Sequence, residues 1–101
     1  MGFHEVIVFE SMNNYVKIHL SSGKFITAYL NLKDILDITH GRNGFMQIHR
    51  AFIISTEHID LISNNSVILK NNLTVNIGEV FRDKFNVFLS NALIKTNRKL
   101  K

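Results

Sequence analysis

Hydrophobic and polar residues alternate with a period of two along most of the chain. In Tyr15-Val16-Lys17-Ile18-His19-Leu20, the residues Val16, Ile18 and Leu20 share one face and Lys17 and His19 the other, the pattern of a half-buried β-strand. Phe25 to Leu30 reads as its antiparallel partner. Ser21-Ser22-Gly23-Lys24 is the turn between them, with Gly23 free to take a positive φ. A short β-branched run from Glu5 to Phe9 precedes this hairpin. Phe45 to Ile48, Ala51 to Ile54, Ile59 to Ile62, Ser66 to Lys70 and Leu73 to Ile77 follow it. Asn64-Asn65 and Asn71-Asn72 separate the last three of these runs. Asparagine tolerates the left-handed backbone of tight turns, so residues 59–77 read as a three-stranded meander.

Two segments change to the helical period. Asn31-Leu32-Lys33-Asp34 has the form of an N-cap with an acidic residue three positions on. Leu32, Ile35, Leu36 and Thr39 then fall on one face, and Gly41 is the expected stop, giving a helix over about 31–40. The second helix is expected over about 79–93, with Phe81, Phe85, Phe88, Leu89 and Ala92 as a core-facing stripe. The expected fold is therefore mainly β, of small antiparallel sheets with one short inserted helix and one C-terminal helix. No long crossover helix separates the strands, which argues against a parallel sheet.

Composition narrows the class. A chain of 101 residues, 46% hydrophobic and 20% charged, is expected to form one globular domain. No apolar run approaches the ~20 residues of a membrane helix. The start MGFHEVIVFE lacks the basic region of a signal peptide, so a cytoplasmic protein without a membrane partner is expected. The absence of cysteine excludes disulfides, thiolate metal sites and a cysteine nucleophile. The net charge of +4 is concentrated at the end, in Lys95, Arg98, Lys99 and Lys101. Residues 1–94 hold eight basic and eight acidic side chains. The division expected is a domain over 1–94 and a basic tail over 95–101. The charge alone does not select nucleic acid over a solvated tail.

Catalytic patterns are missing. His4, His19, His40, His49 and His58 include no i, i+4 pair with a completing glutamate, so no metal and no cofactor is expected. There is no Gly-x-Ser-x-Gly elbow, and Gly41-Arg42-Asn43-Gly44 follows a helix instead of opening one, as a phosphate loop would. Asp34 and Asp37 suit the N-terminal half of a helix better than an acid–base pair. The expectation is not an enzyme. One hexad stands out: Ile48-His49-Arg50-Ala51-Phe52-Ile53 places a histidine and an arginine between two apolar β segments. By itself it fits either a solvated chain reversal or a recognition loop. Asn13-Asn14 likewise reads as a turn, although amide side chains at a loop tip can pair bidentately with adenine.

Taken in order, these pieces resemble the LytTR-type (LytR/AlgR/AgrA) DNA-binding domain of bacterial response regulators. Glu10-Ser11-Met12-Asn13-Asn14-Tyr15-Val16-Lys17-Ile18-His19-Leu20 with Gly23 is similar to its opening signature, and Leu32-Lys33-Asp34-Ile35-Leu36 to its short helix. Phe45-Met46-Gln47-Ile48-His49-Arg50-Ala51-Phe52-Ile53-Ile54-Ser55 resembles its most specific motif, Phe-x-x-x-His-Arg-Ser-[aromatic]-x-Val-Asn. The strands at Ile59 to Ile62, Val67 to Leu69 and Leu73 to Asn76 follow in family order, so the resemblance covers about residues 5–90.

The resemblance implies sequence-specific binding of double-stranded DNA in transcription regulation, through loops in place of a recognition helix. It places Asn14 and Arg50 toward bases. Asn13, Lys17, Asn76 and Arg82 become backbone or supporting residues, and His49 a structural one, hydrogen-bonded under its loop. It also implies paired domains on repeated sites and a receiver domain in the full-length protein. The chain is too short to contain that receiver, so an excised output domain or a stand-alone regulator is expected. Three positions depart from the family pattern. Ala51 replaces a serine, Ser55 an asparagine, and Asn76-Ile77-Gly78-Glu79 lacks the arginine usual in the third DNA-facing loop. The alternative reading is a β-rich module binding protein or single-stranded nucleic acid, with Tyr15 and Tyr29 as stacking candidates.

Overall fold

A computed structural model describes residues 2–39 and 44–96, with side chains as far as residue 91. A 3-10 turn at Phe3–Glu5 leads into β1 (Val6–Ser11), β2 (Val16–Leu20) and β3 (Phe25–Ala28). Helix α1 (Leu32–Ile38) precedes β4 (Phe45–His49) and β5 (Phe52–Ser55). A second 3-10 turn (Thr56–His58) opens the meander β6 (Ile59–Ile62), β7 (Ser66–Leu69) and β8 (Thr74–Asn76). A third (Glu79–Phe81) feeds α2 (Arg82–Thr96).

The strands form two antiparallel sheets, one of five strands in the order β3-β2-β1-β5-β4 and one of three in the order β6-β7-β8. Two apolar clusters hold the layers together. Val6, Phe9, Val16, Ile18 and Ile53 close against Leu32 and Ile35 of α1. On the other side Ile7, Val8, Ile48 and Ile54 meet Val67, Leu69 and Val75 of the small sheet and Phe85 of α2. The central strand β1 therefore supplies both layers, and its pairing with β2 is irregular between Val6 and Val8. A bulge of that kind breaks strict alternation and lets Ile7 and Val8 join one cluster.

The local expectations hold where short-range chemistry decides. Gly23 has φ +91°, and Asn72 has φ 67°, alone among the described non-glycine residues in being positive. Asn31 caps α1: its Oδ1 accepts the Asp34 N–H at 2.9 Å while Asp34 Oδ2 accepts the Asn31 N–H at 3.0 Å. Other expectations need correction. The pair Asn64-Asn65 turns without a left-handed residue. The strand from Phe25 ends at Ala28, short of Leu30, and as a sheet edge it leaves Phe25 and Ile26 exposed. Leu36, expected on the buried face of α1, is 39% exposed because no described residue covers that side of the helix fully. The C-terminal helix starts with a tight turn at 79–81 and runs to Thr96, beyond the expected 93. His40 and Gly41 lie outside the described residues, as do the side chains of Ala92 and of the basic tail 95–101.

Candidate nucleic-acid interface

Three connections meet at one end of the five-stranded sheet, and backbone hydrogen bonds link them in series. The β1–β2 loop closes on itself through the Met12 N–H and the Tyr15 carbonyl, 2.9 Å. Beside it, the Ser11 N–H donates to the Ala51 carbonyl of the β4–β5 connection at 2.8 Å. On the far side of that connection the Gly78 N–H donates to the Ile48 carbonyl at 2.7 Å, which brings the segment after β8 alongside. The Ile77 N–H then bonds the Asn65 carbonyl at 2.8 Å, joining the β6–β7 turn. A Cβ at Gly78 would crowd the Phe81 ring at 3.2 Å, while the Ile48 carbonyl and His49 Cα would lie at an ordinary 3.6 Å.

This arrangement gathers most of the residues singled out in the sequence. Asn13 and Asn14 stand exposed on the first loop, and Arg50 stands exposed on the second. No hydrogen bond or ion pair among the described residues engages the side chains of these three or of Asn76, which is exposed at the end of β8. The loop of Asn13 and Asn14 faces the start of α1 across an open cleft of about 310 Å³, lined also by Ser11, Tyr29 and Asp34.

Two basic candidates are already engaged. Lys17, near the loop end of β2, is half-buried with its Nζ 4.1 Å from the centroid of the Phe25 ring. A cation held over an aromatic face keeps its charge available at the rim of the sheet. Arg82 spans from the start of α2 to the β6–β7 turn. Its two terminal nitrogens donate to the Asn64 carbonyl and to Asn65 Oδ1, each at 3.0 Å. It thus braces the turn that receives Ile77.

Three histidines have local work. His49 Nδ1 accepts the Ala51 N–H at 3.1 Å, His58 Nδ1 pairs with the Ser55 hydroxyl at 2.8 Å, and His19 Nε2 meets Glu10 Oε1 at 2.9 Å. Ser55, at the position of the family's asparagine, is buried and uses its hydroxyl in that pair. Sequence reasoning placed His49 under its loop but did not find Gln47, whose Nε2 donates to the His49 carbonyl at 3.2 Å. Nor did it find that Arg82 is a brace. The Gln47 bond arises where the β4–β5 register shifts, and the Arg82 bonds reach back to a turn 17 and 18 positions earlier, neither of which a local pattern states.

Among the described residues no helix is long and apolar enough to cross a membrane. The family model of the LytTr DNA-binding domain matches residues 1–90. Among solved structures, one described as the LytTr DNA-binding domain of a methyl-accepting/DNA response regulator from Bacillus cereus superposes with a TM-score of 0.76. It shares 18% identity and the match covers 88% of this chain and 84% of that one, a likeness that shows the fold. No curated protein sequence matches the chain. With nine-tenths of its length under the family model and two antiparallel sheets of the same fold, this chain belongs to the LytTR family of DNA-binding domains.

Proposed function

We propose that the chain binds double-stranded DNA sequence-specifically, as the output domain of a response regulator acting in transcription. The observation that carries this reading is the convergence of the exposed loops of Asn14 and Arg50 at one end of a rigid sheet, tied by the Ser11–Ala51 bond. Arg50 offers a planar fork suited to the O6 and N7 acceptors of guanine, and Asn14 an amide suited to adenine. Asn13, Lys17 and Asn76 position the domain on phosphates and sugars, and Arg82 supports the third segment from behind. In this reading two such domains pair on repeated sites, and a receiver domain is the expected partner where the domain is the output part of a longer regulator.

Selection of binding sites from random duplex DNA tests this reading, followed by competition with the corresponding single strands. An enriched duplex motif that single strands fail to displace supports it. Preference for the single strand would instead favour stacking on the exposed Tyr29, which meets Tyr15 edge-on at 6.4 Å.

A further inference from the structure

Both peptide groups that flank Arg50 are tied down by side chains just before it, and the next peptide along by backbone from β1. On the N-terminal side, the His49 carbonyl accepts from Gln47 Nε2 at 3.2 Å. On the C-terminal side, the Ala51 N–H donates to His49 Nδ1 at 3.1 Å, and the carbonyl of Ala51 accepts from Ser11. The pairing of β4 with β5 is irregular between Gln47 and His49, so the strand bends just where this loop begins. The His49 ring itself is fixed edge-on against Phe52, with centroids 5.4 Å apart. The Arg50 side chain, by contrast, has no hydrogen bond or ion pair among the described residues.

We propose that His49 is the positioning residue for Arg50: its unprotonated Nδ1 captures the Ala51 N–H and so sets the direction in which Arg50 leaves the sheet. This inference rests on the DNA-binding reading and adds a specificity determinant that itself touches no base. A side-chain acceptor taking the N–H two residues ahead closes the same ring as an Asx-turn. In histidine the acceptor Nδ1 is bonded to Cγ, as Oδ1 is in asparagine. A neutral imidazole accepts at one nitrogen only, so the Ala51 bond assigns the ring proton to Nε2. With both flanking peptides pinned, Arg50 has only its side-chain rotamers left to order on binding, which lowers the entropic cost of a fixed base contact.

The chemistry separates positioning from direct contact. Asparagine reproduces the Nδ1 acceptor, whereas glutamine, one methylene longer, reproduces the reach of Nε2. The experiment measures affinities of wild type, His49→Asn and His49→Gln for the selected duplex and for an unrelated one. It adds amide exchange at Ala51 and at core amides, and the side-chain ¹⁵N shifts of His49. The expected result is a specificity ratio within about threefold of wild type for His49→Asn and lower by about tenfold or more for His49→Gln, the scale of a lost bidentate base contact. Ala51 should be protected in wild type and His49→Asn, and exchange freely in His49→Gln while core amides stay protected. The wild-type ¹⁵N shifts should report a proton on Nε2. Rescue by glutamine and not asparagine would overturn the proposal in favour of direct contact through Nε2. Equal ratios in all three proteins, loss in both variants with protected cores, or a proton on Nδ1 would overturn it as well. Failure of wild type to prefer any duplex would instead reject the DNA-binding reading, while Ala51 exchange still reports whether the clamp exists.

Discussion

Replacing Arg82 by alanine distinguishes a brace from a phosphate contact. The guanidinium makes two 3.0 Å bonds, to the Asn64 carbonyl and to Asn65 Oδ1, both open to solvent. A net ~0.5–1 kcal/mol for each exposed bond puts the loss in stability at about 1–2 kcal/mol. In a domain of this size each 1 kcal/mol lowers Tm by about 4–8 °C. Arg82→Lys retains the charge but not the fork, so it should lose most of the same stability. Urea denaturation of wild type and both variants measures this. A cycle with Asn65→Ala should show coupling of about 0.5 kcal/mol or more, because one of the two bonds is shared. Salt titrations of DNA binding then separate the roles. A brace leaves the slope of log affinity against log salt unchanged in both variants. A phosphate contact would lower the slope by ~0.9 in Arg82→Ala alone. Stability unchanged within ~0.5 kcal/mol together with that lower slope would refute the assignment of Arg82 as a brace.

Three further outcomes follow from the geometry. Asn31→Ala removes the acceptor for the Asp34 N–H and should cost about 1 kcal/mol, read from the urea midpoint at constant m-value. Gly78→Val adds bulk where a Cβ alone reaches 3.2 Å from the Phe81 ring, and overpacking should cost about 1–3 kcal/mol. It should also release the protection of the amide at position 78, whose N–H donates to the Ile48 carbonyl in wild type, before that of the sheet centre. Because residues 1–94 are charge-balanced, the wild-type salt slope should lie near −3 to −5 per domain, from about three to five phosphate contacts; a slope of −8 would contradict the charge reasoning.

Much of the fold is written in short-range pattern. Alternation from Val16 to Leu20 gives β2 and its buried face, and Gly23 gives the turn that follows. Asn31 and Asp34 spell out both halves of a capping box three residues apart. Periodicity reports which residues share a face but not what covers that face. This is why Ile26, on an edge strand, and Leu36, on a side of α1 that no described residue covers fully, lie open despite their pattern. The asparagine pairs show the same limit. Asn72 takes the left-handed conformation, whereas Asn65 serves instead as acceptor for Arg82 and Ile77. For the candidate site, the motif residues Asn14 and Arg50 were legible as residue types at a given spacing. The bond that brings their loops together runs from Ser11 to Ala51 and the one that adds the segment after β8 from Gly78 to Ile48, across 40 and 30 positions of chain, and both use backbone groups that carry no sequence signal.

Arg50 carries the central claim, and its specificity ratio is the measurement that tests it most directly. The exposed side chain makes no bond among the described residues, so Arg50→Ala should change stability by less than ~0.5 kcal/mol. Affinity for the selected duplex should fall by about 1–3 kcal/mol, roughly 5- to 150-fold, while affinity for unrelated duplex falls far less. Arg50→Lys should recover the phosphate attraction and not the discrimination. If wild type, Arg50→Ala and Arg50→Lys keep the same ratio of specific to nonspecific affinity, Arg50 is not a base reader and the account fails.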